Sequence, residues 1–209
     1  MEKLDFKKIE REFYQPKKIA LIDVPEMRFL TIDGEGAPSS EGFSEAIGKL
    51  FATAYTISMS YKSDDAIPGF QPFVVPPLEG LWTSRTESDE NGMFKKSDFI
   101  WKLMLRMPGF VTAEVVDWAR AKAEAKKKLN MTELKFESWT DGLCVQAMHI
   151  GSFDDEPATF SKINAFAEEK GYQESFCGDF HHREIYLNDF NKTAPEKLKT
   201  VIRQYVKKI

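Results

Sequence analysis

The chain has 209 residues, 42% of them hydrophobic and 30% charged, with a formal net charge of −4. That apolar share is enough to bury a core, which argues against a disordered chain. The mild acidity offers no basic surface for nucleic acid, and no run approaches the roughly 18–20 apolar residues that cross a bilayer.

The length suits one large domain or two closely packed halves. Cys144 and Cys177 are far apart and lack metal-ligand spacing, so two reduced thiols are expected. Residues 1–18 carry no apolar signal region, so a cytoplasmic protein is expected.

Residues 1–26 form the lead-in: a charged, loosely structured stretch over 1–18 closed by Pro16, then an apolar run over 19–22. The first half spans 27–107. Residues 27–33 alternate as a strand does, and Gly34, Gly36 and Pro38 stop it. Ser39 or Ser40 then caps a helix whose stripe is Phe43, Ile47, Leu50, Phe51 and Ala54. Two strands follow over 78–84 and 98–107, joined through an Asn91-Gly92 turn.

Residues 108–142 hold a crossover helix, capped by Thr112 and running to about Lys128, and a linker with Phe136 and Trp139. The second half, 143–209, starts with a strand over 143–150. A helix over 157–170 ends at Gly171, a short segment lies near 175–177, and a strand covers 183–187. Thr193-Ala194-Pro195-Glu196 reads as a capping box opening a terminal helix through Val206.

The two halves repeat one order of elements. Phe29-Leu30-Thr31-Ile32 is answered by Ala147-Met148-His149-Ile150, and Leu78-Glu79-Gly80-Leu81 by Arg183-Glu184-Ile185-Tyr186. The expected fold is therefore α+β: duplicated β-α-β-β halves related by a pseudo-twofold axis. An antiparallel sheet would carry its helices on one side, with a ligand cleft between the halves.

Glu184 lies in a run that otherwise reads as a buried strand, and alternation puts it on one face with Tyr186. A partly buried carboxylate there suits holding a cation or activating a water. Glu79 occupies the matching place in the first half. Trp82, Trp101 and Tyr55 could wall a pocket for flat or cationic ligands, with His149 nearby. His181 and His182 point to opposite faces of a strand, so no metal site is expected. The chain lacks phosphate-cradling glycine motifs and a nucleophile elbow, and no cofactor is expected.

The runs Thr31-Ile32-Asp33-Gly34-Glu35-Gly36, Pro77-Leu78-Glu79-Gly80-Leu81-Trp82, the stretch from Gly142 to Gly151, Glu184-Ile185-Tyr186-Leu187 and the stretch from Thr193 to Thr200 carry a resemblance. Over about residues 3–206 the chain resembles the GyrI-like small-molecule-binding proteins, in particular the stand-alone subgroup related to cyclopropanoid cyclohydrolases. The resemblance implies a cleft between duplicated halves, a Glu at the position of Glu184 at its centre, and aromatic walls. It implies a small hydrophobic or aromatic ligand and, in one subgroup, metal-independent hydrolysis of the cyclopropane of DNA-alkylating compounds. A multidrug-sequestering protein without catalysis is the alternative. The family pattern has His-His directly before the Glu, whereas here Arg183 stands between His182 and Glu184.

Overall fold

The computed structural model describes residues 3–62, 67–90 and 94–209. The strands are β1 (Ala20–Val24), β2 (Met27–Glu35), β3 (Leu78–Ser84), β4 (Phe99–Arg106), β5 (Lys135–Trp139), β6 (Gly142–Ile150), β7 (Tyr172–Glu174), β8 (His182–Tyr186) and β9 (Lys199–Lys208). The helices are α1 (Phe6–Ile9), α2 (Arg11–Tyr14), α3 (Glu41–Ser58), α4 (Ala113–Lys127) and α5 (Glu156–Glu169). All the strand pairings are antiparallel, in the order β1-β6-β9-β8-β3-β4-β2-β5, with β7 added beside the end of β9.

The three long helices start where local chemistry lets them. The Ser40 side chain accepts from the Phe43 amide, and that of Thr112 from the Val115 amide. Pro157 sits in the first turn of α5, and Gly171 follows its end at φ 78°. Phe43, Leu50, Ala54 and Ile57 of α3 bury their stripe together with Leu30, Ile32, Leu103 and Leu105, and α4 adds Val116 and Ala119. On the other half, Ile163 and Ala167 of α5 pack with Val145, Ala147 and Ile202.

Two residues separate β1 from β2, and two separate β5 from β6. Val24 faces Gly142 and Met27 faces Trp139, so one ladder register runs through both pairs. The sheet therefore curls until its two end strands meet. Each half lends its first strand to the other, β1 to β6 and β5 to β2.

The centre of the pseudo-twofold arrangement is the β3–β8 ladder, where Gly80 faces Glu184. That pair maps Leu81 onto Ile185 and Trp82 onto Tyr186. Followed outward through β4 and β9, the ladders map Ile32 onto Ala147. The duplication is real, but the expected matches were displaced, by one residue at Glu79 and by three at Phe29. A displacement by an odd number carries a side chain to the other face of a sheet.

Three other expectations are corrected. The terminal segment is not a helix: one 3-10 turn at Pro195–Lys197 leads into β9. Thr200, Val201, Ile202, Tyr205 and Val206 are strand formers, and β9 is buried between β6 and β8 on both faces, which hides the two-residue period. Residues 135–139 are strand β5 and not linker. The lead-in is also packed: Phe6 and Tyr14 are buried with Ile185 and Val201, on the face opposite the long helices. The Asn91-Gly92 turn lies outside the described residues.

That second face holds a buried ionic cluster. Arg183, 1% exposed, meets Glu79 Oε2 at 2.6 Å and Asp141 Oδ1 at 2.8 Å. Asp141 also takes Arg203 at 3.4 Å, the Tyr205 hydroxyl at 3.2 Å and the Trp139 indole N–H at 3.1 Å. Arg203 in turn donates to the Phe13 carbonyl at 2.6 Å. Burial disfavours the Arg183 charge, but Asp141 and Glu79 outweigh it and hold its pKa well above the ordinary value. Asp141→Ala would leave two buried guanidinium groups short of counter-charge. A loss of about 3–5 kcal/mol in urea unfolding is expected, larger than for any single surface ion pair.

Candidate functional site

Helix α3 packs on β2 and β4, and α5 packs on β6 and β9, which leaves β3 and β8 as the floor between them. On that floor the pleat turns Glu184 outward, 8% exposed, with His182 and Tyr186 two residues away on either side. The Trp82 indole N–H donates to the Tyr186 hydroxyl at 2.9 Å, and Tyr186 donates to Glu184 Oε2 at 2.7 Å. The other carboxylate oxygen, Oε1, lies 2.9 Å from His182 Nε2. A polar chain thus runs from an indole through a phenol to a carboxylate and an imidazole. Burial first, then the Glu184 charge, drives the Tyr186 pKa well above its ordinary value, so the phenol stays a donor.

Aromatic rings surround the chain. Phe43 packs against Trp82 at 5.9 Å and edge-on against Trp101 at 5.1 Å, and Phe99 meets Trp82 at 5.4 Å. Phe153 and Phe190 stand edge-on to Tyr186 at 5.8 and 5.6 Å, and Phe160 to His182 at 4.8 Å. Two glycines let the indoles lie against the sheet. A Cβ at Gly80 would stand 2.7 Å from Trp82 Nε1 and 3.2 Å from the Tyr186 oxygen, and one at Gly34 would overlap the Trp101 ring.

A second carboxyl, Glu156, opens α5 and is also 8% exposed. Its Oε1 is buried without a hydrogen-bond partner among the described residues. Burial, then the charges of Glu184 and Asp154, push its pKa up to about 10.

The structure brings Glu184, Tyr186 and Trp82 together, with Trp101 joined through Phe43. It does not bring the other expected residues to them. Glu79 points to the opposite face, into the Arg183 ion pair, with Tyr14 3.5 Å from its other oxygen. Tyr55 is 54% exposed and stacked on Phe51, beside a groove of about 740 Å³ shared by α3 and α4. His149 is engaged at both nitrogens, with Thr159 Oγ1 at 2.8 Å and the Ser152 carbonyl at 2.9 Å, and so braces the turn into α5. Sequence reasoning missed Glu156, and missed His182 as the partner of Glu184. The available signals were the acidic turn before Pro157 and the two-residue spacing of His182 and Glu184.

A carboxylate ringed by aromatic side chains, on the sheet face between two flanking helices, is the kind of arrangement that small-molecule-binding proteins use. The chain matches the model of the GyrI-like small molecule binding domain over residues 17–204, and it belongs to that family. It is 40% identical to a hydrolase from Listeria innocua, covering 98% of this chain and 100% of that one, with a TM-score of 0.89. An uncharacterized conserved protein from Listeria innocua is 41% identical, with coverage of 98% and 100% and a TM-score of 0.91. The C-terminal domain of EcmrR, at 16% identity, covers 92% of this chain and 98% of its own, with a TM-score of 0.53, and shares the fold. A search of curated proteins finds no match.

Two outcomes follow from this geometry. Gly80→Ala pushes a methyl into the Trp82 and Tyr186 contact and should cost about 1–3 kcal/mol, with a shifted tryptophan emission. The second concerns Glu156, whose folded pKa lies above the ordinary 4.5, so folded Glu156 keeps a proton that the unfolded chain releases. Its contribution to stability is full below about pH 4.5 and is lost as the pH rises towards 10. Glu156→Gln should therefore match wild type near pH 4 and exceed it increasingly above, by at most about 1.4 kcal/mol per pH unit. Parallel stability curves for the two proteins would contradict it.

Proposed function

We propose that the cleft takes a bulky planar hydrophobic ligand between its aromatic walls and hydrolyses a strained electrophile there, a cyclopropane-bearing DNA alkylator being the type. The carrying observation is Glu184, a carboxylate fixed by Tyr186 and His182 on the floor of an aromatic cleft. In the reaction, water attacks a cyclopropane carbon while Glu184 takes its proton. The strained C–C bond breaks, and its electron pair flows into the conjugated ring to give a phenolate, which is then protonated. Holding the flat ligand against a positioned base supplies proximity as well as base catalysis.

Tyr186 acts as a positioning residue in this reading. Its one proton is given to Glu184 and its oxygen accepts from Trp82. The resemblance in sequence and fold to a hydrolase from Listeria innocua supports the catalytic reading.

A second reading is sequestration without chemistry. It is favoured by both Glu184 oxygens already lying within hydrogen-bonding distance of a partner, as suits a fixed counter-charge for a cationic ligand. Mass spectrometry of products from a cyclopropane-bearing alkylator separates the two. Glu184→Gln should lower turnover by about 10²-fold or more while a neutral planar ligand still binds. Ring-opening at the wild-type rate by Glu184→Gln would remove Glu184 from the chemistry. Wild-type protein that binds the alkylator and releases it unchanged would establish sequestration.

A further inference from the structure

The two carboxyl groups of the cleft are in unlike surroundings. Glu184 accepts from the Tyr186 hydroxyl on one oxygen and lies beside His182 on the other. Glu156 is as deeply buried, yet its Oε1 has no hydrogen-bond partner among the described residues. Two neighbouring carboxyl groups shielded from water do not both ionise, and the one without donors keeps the proton.

We propose that Glu156 is a second ligand-binding residue of the cleft, a hydrogen-bond donor that selects planar ligands bearing a carbonyl or phenolate-type oxygen. Glu184 and Glu156 then divide the work as acceptor and donor. The inference rests on the cleft being the binding site, as proposed above.

The groups around Glu156 fit this division. Glu184, Tyr186 and His182 come from β8, and Asp154 and Asp155 from the turn before α5. His149 of β6 has both nitrogens engaged, with Thr159 and Ser152. None of these is a lysine or arginine, and the Lys96 ammonium nearby is engaged by Asp154 at 2.7 Å. The upward shift of its pKa, caused first by burial, agrees.

A matched pair of tricyclic probes tests the role. N-Methylacridone is neutral and carries a carbonyl acceptor, whereas N-methylacridinium is a permanent cation without one. Wild-type protein should bind N-methylacridone at pH 7 and lose affinity as the pH rises towards 10. N-Methylacridinium should bind more tightly over the same range and release protons, seen as a binding heat that depends on the buffer's ionisation enthalpy. A cation beside Glu156 favours its ionised form.

Glu156→Ala should weaken N-methylacridone about five- to thirty-fold, as expected for one buried hydrogen bond. Glu156→Gln keeps an N–H donor. It should hold N-methylacridone affinity within about threefold, flatten its pH dependence and abolish the proton release. Wild-type affinity for N-methylacridone in Glu156→Ala would overturn the proposal, as would proton release that persists in Glu156→Gln. Should the Ala variant fail to fold, the Gln variant carries the test through that release. Trp82→Ala separates the two levels of failure. If it weakens both probes while the Glu156 variants behave as wild type, only this inference falls. If it changes neither, the cleft is not the site.

Discussion

Strand β8 carries opposite charges on consecutive residues, Arg183 and Glu184, and the pleat sends them to opposite faces of the sheet. Much of the molecule is organised around satisfying both. A guanidinium withdrawn from water is tolerable only when fully partnered, and Asp141 and Glu79 meet that need from the β5–β6 junction and from β3. Arg203, Tyr205 and the lead-in at Phe13 join the same cluster. The strand bearing Glu184 is thereby anchored from behind, and the cleft inherits a fixed floor.

The same pleat explains the intervening arginine. With Arg183 between them, His182 and Glu184 are two residues apart and share the cleft face, where their side chains meet at 2.9 Å. A histidine at position 183 would point into the ionic cluster. One inserted charge thus serves the interior and spaces the cleft residues at once.

Much of this was legible in the sequence. Ser39 or Ser40 and Thr112 marked the starts of two long helices, Gly171 marked the end of a third, and the strand expected over 78–84 matches β3. The face of Glu184 and Tyr186 also followed from alternation. What failed failed for identifiable reasons. Glu79 looked equivalent to Glu184 because short motifs were aligned by composition, and only the ladder shows that Gly80 is its counterpart. The terminal strand escaped because Arg203 and Gln204, buried on opposite faces of β9, read as polar surface. Glu156 was invisible because the sequence does not show which acid of an acidic turn is folded inward.

The exchange of first strands between the halves bears on how a ligand gets in. Many two-lobed binding proteins admit their ligands by swinging the lobes apart about a linker. Here such a swing would tear β1 from β6 and β5 from β2 together, breaking two ladders before the cleft had widened. Under the proposed reading, admission falls to what lies above the floor, namely the turn carrying Phe153 and the loop carrying Phe190, whose rings stand against Tyr186 and against each other at 6.2 Å.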